Sequence, residues 1–435
     1  MKITFIGQDI PMLLPALLAD LLFAAKQKDA TLFLEEGNPA MQEVLQGYAD
    51  AIFRRAGLGG GMTVTGHRQE ALQDADCVIY AGDPQAASRF FMDRSALESD
   101  QEDDPGLTDQ ARVNGGIEGL LHAMRAGKAV LSLCDAMDAA CPDAMVVNLG
   151  QPLARTTGMF LNRGYRCLAM GRTPMKGANG AETYAKRLQI SPERLRASTA
   201  GLPGFAFLTE IRDGKSDLMP KLRQAARDGE LGNLAKRWLA WWDAIPAGDV
   251  TDHAEFLPAQ PDFIPEEKPE FGETVEKRKE RILYMNTVRQ QGAEAQEGAM
   301  AQLLLLSKAP PIRPIRLALS VLNGKDDVIP AVTRRNGGTM PQLSPDAVIE
   351  TELRLENGRD ATEPVRVPEA LAEILAEVDE ANRLAARAAA GDMGAVREYV
   401  ETDPALSGLD RLYCQEVVEA LIRQNADMLV EDKEP

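Results

Sequence analysis

Histidine and cysteine, the side chains that most often hold transition metals, are scarce in this chain of 435 residues. Three histidines and five cysteines are scattered along it: His67, His122, His253, Cys77, Cys134, Cys141, Cys167 and Cys414. None of the cysteines forms a CxxC pair, and most stand in apolar stretches, a pattern typical of reduced thiols in a cytosolic protein. We therefore expect no metal site built from several imidazoles.

The first apolar run ends where a dinucleotide-binding fold turns around the cofactor pyrophosphate. That turn normally reads GxGxxG, because the backbone must approach the phosphates closely and present amides at a helix N-terminus. Residues 7–12 read GQDIPM, so only Gly7 remains and Asp9 adds a carboxylate. Glu35 and Glu36 end the next apolar run, where an acid can bond a ribose hydroxyl. Two interpretations stay open: NAD bound through Gly7, Glu35 and Glu36, or a retained framework without cofactor, which the residues favour.

Short apolar runs alternate with helical patterns over the first 150 residues. The predicted strands are Lys2–Ile6, Thr31–Leu34, Ala75–Ala81, Ala129–Leu133 and Ala144–Val147. The predicted helices are Met12–Lys26, Pro39–Ala56 and Gly115–Ala126. Runs buried on both faces, with helices between them, favour a doubly wound parallel sheet of the Rossmann type over residues 1–152.

The remaining residues, 153–435, predict an α+β domain that completes a cleft and supplies oligomer contacts. Trp238, Trp241 and Trp242 share one helix face, which favours a core or a subunit interface. The other predicted elements are a proline-rich linker over 258–272, a charged helix over 273–308, an exposed strand over 345–355, and helices within 368–402 and 409–430. The fold class is therefore α/β.

The charge balance excludes two classes of partner. Forty-eight basic and 66 acidic residues give a net charge of −18, without a compact basic patch. Such a chain is repelled by nucleic acid and by anionic membranes. The N-terminus lacks the pattern of a signal peptide, and residues 12–25 are too short and too interrupted to span a bilayer. We expect a cytoplasmic protein.

Three motifs in the first half follow one another in a specific order. Residues 76–80 read DCVIY, residues 113–117 read VNGGI at a helix start, and residues 141–152 read CPDAMVVNLGQP at a strand end. In the second half, residues 200–205 read AGLPGF and residues 332–343 read VTRRNGGTMPQL. Together they resemble glycoside hydrolase family 4 over essentially the whole chain. The resemblance implies a fold like that of lactate and malate dehydrogenases.

The resemblance also implies a chemistry. Family 4 glycosidases use NAD and a divalent metal, commonly manganese: a hydride leaves C3 of the sugar, a tyrosine takes the C2 proton, and the aglycone is eliminated. The family's cysteine and histidine metal ligands fall at Gly171 and Gly204, and its tyrosine falls at Ala309 or Pro310. Cys167 lies about 13 Å from the ligand position along a strand, too far to substitute. No metal is therefore expected.

A few positions of the resembled sugar site keep polar side chains. Asn148 matches the first asparagine of the family's NxxNP motif, and Gln151 replaces the second. Arg172 follows the lost ligand position and can hold an anion or form an internal salt bridge. Lys308 stands beside the lost tyrosine as a weak substitute base or an exposed helix-end lysine.

The sequence leaves three hypotheses for function. The first is a divergent member of carbohydrate metabolism that binds a sugar or an anionic small molecule without the family's redox chemistry. The second is an active NAD-dependent glycosidase or sugar oxidoreductase with a rebuilt site. The third is a non-catalytic subunit that assembles with an active homologue. We expect a homo-oligomer or a hetero-oligomer with such a homologue.

Overall fold

The computed structural model describes most of the chain. The described residues are 1–24, 30–57, 60–82, 113–171, 181–191, 194–248, 250–258, 275–291 and 312–430, with 92, 93, 95 and 97. The described ranges leave out the acidic segment 98–109, the proline-rich segment 259–272 and residues 292–311. Arg172 and Lys308 also lie outside the described ranges. No helix within these ranges is long and apolar enough to cross a bilayer.

Strands and helices of the described part form one sheet with helices on both faces. The strands are β1 Lys2–Ile6, β2 Thr31–Glu35, β3 Met62–Thr65, β4 Cys77–Tyr80, β5 Met145–Asn148, β6 Cys167–Ala169, β7 Leu195–Leu202, β8 Phe205–Asp213, β9 Ser216–Asp217, β10 Ile245–Ala247, β11 Asp327–Arg335, β12 Val348–Glu356 and β13 Arg359–Asp360. The helices are α1 Ile10–Ala24, α2 Pro39–Ala56, α3 Arg68–Leu72, α4 Gly116–Ala140, α5 Leu153–Asn162, α6 Ala181–Arg187, α7 Met219–Arg227, α8 Gly232–Trp242, α9 Val250–Ala254, α10 Val275–Gln291, α11 Pro314–Leu322, α12 Glu369–Ala389, α13 Met393–Thr402 and α14 Arg411–Gln424.

The sheet has a parallel half and an antiparallel half. The parallel half has the order β3-β2-β1-β4-β5-β6, which is the dinucleotide-binding order, and it confirms the doubly wound prediction. It continues through β11, β12, β7, β8 and β10 with every neighbour antiparallel. The α/β fold is therefore built on one continuous sheet.

Alternating side chains of the central strands supply both faces of the core. Phe5 and Ile79 point into an apolar cluster with α1, α2 and α11, whereas Ile6 and Tyr80 point into a second cluster with α4, α5 and α12. This alternation is what a strand buried on both faces requires. The central strands are thereby held rigidly, and their ends are well placed to carry a site.

Helix α2 shows how local signals fix an element. Asn38 caps it by accepting hydrogen bonds from the amides of Ala40 and Met41, Pro39 takes the first helical position, and Gly57 ends it in a left-handed conformation. The predicted range is confirmed at both ends.

Two predicted strands were wrong in kind or in setting. Ala129–Leu133 is part of helix α4, because a short apolar run does not distinguish a strand from a buried helix. The strand predicted over 345–355 is β12, which is paired on both sides by β11 and β7 and is mostly buried rather than exposed. Strand β3 and the long hairpin of β7 and β8 were not predicted.

Candidate functional site

A continuous row of paired residues crosses the sheet and positions the candidate residues. The row is Ile6, Tyr80, Asn148, Ala169, Thr333, Glu350, Gly201 and Ala206, each paired with the next. Gly7, Gln151, Gly171 and Gly204 each lie one to three residues beyond a member of this row. Strands β11 and β12 lie between β6 and β7, which precede Gly171 and Gly204. Ala169 of β6 and Gly201 of β7 are therefore three strand spacings, or about 14 Å, apart.

The turn after β1 is closed against β4. Gly7 has φ +125°, and a Cβ there would lie 2.0 Å from the carbonyl oxygen of Ala81, so only glycine fits. The amide of Asp9 donates to that same oxygen at 3.2 Å. The amides of Ile10 and Met12 donate to Gly7 and Asp9, and proline at position 11 has no N–H. The amides of Asp9, Ile10 and Met12 are thus already bonded within the chain, and residue 11 offers none.

Both ribose-binding candidates at the end of β2 have internal partners. Glu35 accepts from Arg68 Nε with both carboxylate oxygens, at 2.9 and 3.1 Å. Glu36 accepts from the amide of Asn38 at 2.8 Å, next to the cap of α2. A ribose hydroxyl would have to compete with these contacts.

Asn148 is fully buried at the end of β5. Its amide nitrogen donates to the hydroxyls of Thr156 and Thr157, both at 2.9 Å, and its oxygen accepts from the amide of Gly150 at 2.8 Å. These bonds shape the turn that carries Gln151, which is partly exposed and accepts from the amide of Leu153 at 3.2 Å. Asn148 therefore positions this turn, while Gln151 lies at its surface.

The position of the lost cysteine ligand is packed against helix α5. A Cβ at Gly171 would lie 2.7 Å from Leu153 Cδ2, so the leucine occupies the space where a ligating side chain would begin. Leu153 is itself buried. A hydrocarbon side chain cannot donate electrons to a metal, and this position offers no ligand.

The position of the lost histidine ligand is a hairpin turn. Pro203 and Gly204 connect β7 to β8, and Gly204 has φ +79°, as a type II turn requires after proline. A Cβ there would contact Phe256 at 3.4 Å and Asp252 Cβ at 4.0 Å. A side chain at residue 204 would thus be strained and would meet an aromatic ring.

The histidine nearest to this turn has a structural role. His253 is 1% exposed, accepts from Trp238 Nε1 at 3.2 Å and packs edge-on against Phe205 and Phe207. The acidic, proline-rich sequence around His253 would suggest a solvated side chain, but α9 packs it against the tryptophan cluster. His122 lies in α4 and its Nδ1 is 3.2 Å from the carbonyl oxygen of Val113, so it too has a structural role.

Two buried carboxyl groups that sequence reasoning missed lie near the hairpin. Glu350 is 2% exposed, between Thr333 and Gly201, and burial raises its pKa to about 8, with Asp252 adding to the effect. Burial and Asp252 also raise the pKa of Glu255 to about 8, against the opposing hydrogen bonds from Val113 and Asn114. No motif signalled either group.

Glu350→Gln tests the consequence of that burial. A carboxyl group with a pKa raised from 4.5 to about 8 on folding makes the protein less stable as pH rises through this range, because the unfolded chain ionises first. We expect Glu350→Gln to gain stability relative to wild type between about pH 4.5 and 8 and to keep a constant difference above it. Urea unfolding across pH measures this, with Glu356→Gln, exposed on the same strand, as the control for loss of charge. Parallel pH profiles of Glu350→Gln and wild type would contradict the burial argument.

The start of helix α4, whose sequence resembles a family motif, is closed by carboxyl groups of the chain itself. Glu255 Oε2 accepts from the amides of Val113 and Asn114, at 3.1 and 2.8 Å, and from Asn114 Nδ2 at 2.6 Å. Asp403 Oδ2 accepts from the amide of Gly116 at 2.7 Å. The helix N-terminus is thus already compensated and does not offer a free anion site.

The described residues do not fit the metal and cofactor of the resembled chemistry. Within the described ranges no group of three or more His, Cys, Asp or Glu side chains is arranged to hold a metal ion. The two family ligand positions carry no donor atom and are bordered by Leu153 and Phe256. In the turn after Gly7, the amide of Asp9 donates to the carbonyl oxygen of Ala81. The positions of the family's catalytic tyrosine, Ala309 and Pro310, and the neighbouring Lys308 lie outside the described residues. The nearest tyrosine before them in the sequence, Tyr284, packs edge-on against Tyr48.

Two models of one protein family match most of the chain. A model of family 4 glycosyl hydrolases matches residues 2–171, and a model of the C-terminal domain of the same family matches residues 199–406. An alpha-galactosidase of Bacillus subtilis is 22% identical over 52% of this chain and 51% of its own length. An alpha-glucosidase of Erwinia rhapontici is 24% identical over 52% of this chain and 49% of its own length. The chain thus matches about half the length of these curated relatives.

Solved structures share the fold over full length. A 6-phospho-alpha-glucosidase from gut microorganisms, in complex with NAD and glucose-6-phosphate, superposes with a TM-score of 0.75 at 16% identity, covering 100% of both chains. A 6-phospho-beta-glucosidase of Thermotoga maritima gives a TM-score of 0.69 at 15% identity over 99% of both chains. At such identities the likeness concerns the fold. The family models decide the assignment: this chain belongs to the family 4 glycosyl hydrolases.

Proposed function

We propose that this chain is a cytoplasmic family 4 member that binds a sugar or a sugar anion and does not perform the family's metal-dependent redox elimination. The observation that carries the proposal is the pair of glycines at the metal-ligand positions. Gly171 is packed against Leu153, and Gly204 forms a tight turn beside Phe256. Without a metal, nothing at these positions would stabilise the ketone and enolate on which the elimination depends.

The turn at Gly7 supports the same proposal from the cofactor side. The amide of Asp9 is bonded to Ala81, and position 11 is a proline. Hydride removal at C3 needs a nicotinamide held against the sugar, and a turn whose Asp9 amide is already bonded offers the pyrophosphate fewer donors. Loss of both sites removes the reaction more completely than loss of either one.

Sugar recognition at the carboxyl end of β5 is the activity that remains. Asn148 fixes the turn, and Gln151 can offer its amide to a hydroxyl. Arg172, next to Gly171 in the chain, would supply a fixed positive charge for an anionic group. We also propose that the chain assembles with a second copy or with an active homologue. In such an assembly, a subunit that binds a sugar without turnover would still have a role.

Gln151→Ala tests the proposed sugar site. Loss of one or two hydrogen bonds to a hydroxyl should weaken the binding of glucose 6-phosphate about fivefold to tenfold. Isothermal titration calorimetry measures the affinity for glucose 6-phosphate. Chromatography of a phosphoglycoside incubated with the protein shows whether the glycoside stays intact. The matched control is Gln224→Ala, an exposed glutamine on α7. Cleavage of the glycoside, or equal binding by Gln151→Ala and wild type, would contradict the proposal.

A further inference from the structure

A cavity of about 440 Å³ lies beside the crossing of β6 and β11, apart from the candidate sugar site. The two strands pair at a single position, Thr333 with Ala169, so the sheet is open next to that point. Residues before and within β6, the end of β11, β12 and β13 line the cavity. Its volume is within the range of pockets for small molecules.

The lining is basic in a chain that is otherwise strongly acidic. The lining contains three arginines, Arg166, Arg334 and Arg335, and a single acid, Asp360. It therefore has an excess of two positive charges in a protein of net charge −18. Such a local excess attracts small anions despite the overall charge.

The three arginines differ in how far they are already used. Arg334 is buried, and all three of its guanidinium nitrogens donate within the protein, with Nε bonded to Asp360 at 2.8 Å. Arg335 is about half exposed, its Nη1 lies 3.3 Å from the exposed carboxylate of Asp346, and its Nη2 donates to the carbonyl oxygen of Leu161 at 3.4 Å, so only part of its donor set is used. Arg166 donates from Nη2 to the carbonyl oxygen of Gly358 at 3.3 Å and has no carboxylate within ion-pair distance among the described residues. Arg166 and Arg335 therefore keep donors for a ligand.

Apolar side chains form the rest of the wall. Leu353 and Leu355 of β12 are among them. A planar guanidinium fork matches a phosphate or carboxylate, and leucine side chains match a hydrocarbon or a ring. We propose that this cavity binds a small organic anion, with its phosphate or carboxylate between Arg166 and Arg335 and its apolar part against Leu353 and Leu355.

This site differs from the sugar site in place and in residues. Arg166 precedes β6, whereas Gly171 and Arg172 follow it, so the strand separates the two positions. Helix α5 borders both places with different residues: Leu153 packs at Gly171, and Leu161 lines the cavity. Because the two sites share no residue, anion binding in the cavity does not depend on the proposed sugar binding.

Phenyl phosphate and benzoate are the probes, each titrated at fixed ionic strength by calorimetry, with inorganic phosphate for comparison. We expect saturable binding of at least one organic anion, tighter than inorganic phosphate because of the leucine contacts. Arg166→Ala and Arg335→Ala should each weaken it at least tenfold, and Arg166→Lys should give an intermediate value. The matched control, Arg354→Ala, removes an exposed arginine of β12 outside the cavity and should bind like wild type.

Hydrogen exchange locates the bound anion. We expect protection of the backbone over residues 164–168 and 334–336 when the organic anion is bound, and none over 149–153. Absence of saturable binding by both organic probes would overturn the proposal. So would equal affinities of Arg166→Ala, Arg354→Ala and wild type, or protection confined to residues 149–153.

Discussion

Asp403→Ala is expected to lower the free energy of unfolding by about 3 to 5 kcal/mol, because three buried donors lose their acceptor and each unsatisfied group costs about 1 to 3 kcal/mol. Asp403 is 3% exposed and accepts from the amides of Gly116 and Ala405, at 2.7 and 3.0 Å, and from the hydroxyl of Tyr399 at 2.5 Å. It joins the start of α4 to the chain that follows α13, 287 residues later. Removing its carboxylate leaves these buried donors without their acceptor.

The same substitution affects a buried arginine. Arg155 in α5 donates to Tyr399 Oη at 3.1 Å and to Asn382 Oδ1 at 3.0 Å, so the carboxylate of Asp403 compensates its charge through the tyrosine. Low dielectric surroundings make an uncompensated charge costly. We expect Asp403→Asn to retain part of the stability, since it keeps one acceptor oxygen.

Urea unfolding followed by far-UV circular dichroism measures both variants. Asp410→Ala is the matched control, because Asp410 also caps a helix but is exposed, and its loss should cost about 1 kcal/mol. If Asp403→Ala loses no more stability than Asp410→Ala, the buried network does not hold the C-terminal helices to α4.

Addition of NAD is expected to leave the melting temperature unchanged. A ligand at a thousand times its dissociation constant stabilises a protein by about 4 kcal/mol, which would raise the melting temperature by several degrees. The donors that would produce such affinity are used within the chain: Asp9 donates to Ala81, and the first helical turn contains a proline. Glu35 is likewise paired with Arg68.

Differential scanning fluorimetry at millimolar NAD measures the shift, with ADP and with buffer alone as controls. A shift of several degrees that saturates with NAD, and not with ADP, would show that the turn opens to accept the dinucleotide. That result would favour the NAD-dependent enzyme among the hypotheses.

Much of the fold could be predicted because its signals are local. Asn38, Pro39 and Gly57 fix the ends of α2 by their own backbone preferences, and β1 and β4 form at apolar runs that alternate with helical patterns, as a doubly wound sheet requires. The run 129–133 misled us, because its burial comes from α4 packing between the sheet and α12, which the local sequence does not encode.

The candidate site was predictable where a motif carried it and hidden where distant segments meet. The motifs predicted that Gln151 follows the end of a strand, as it does. They did not reveal that Leu153 and Phe256 border the glycines at the two metal-ligand positions. Nor did they reveal that Glu255 closes the start of α4 from 141 residues away, because such pairs depend on tertiary packing alone.

A turnover assay with NAD and metal both present tests most directly whether this chain performs the redox elimination of its family. The protein is incubated with NAD, Mn²⁺ and a thiol reductant, and with 4-nitrophenyl α- and β-glucosides, α- and β-galactosides and their 6-phosphates. We predict no release of nitrophenol above the protein-free rate, because Gly171 and Gly204 supply no side-chain metal ligand and the amide of Asp9, in the turn after Gly7, is bonded to Ala81. Release that requires both NAD and Mn²⁺ and stops on chelation would contradict the account.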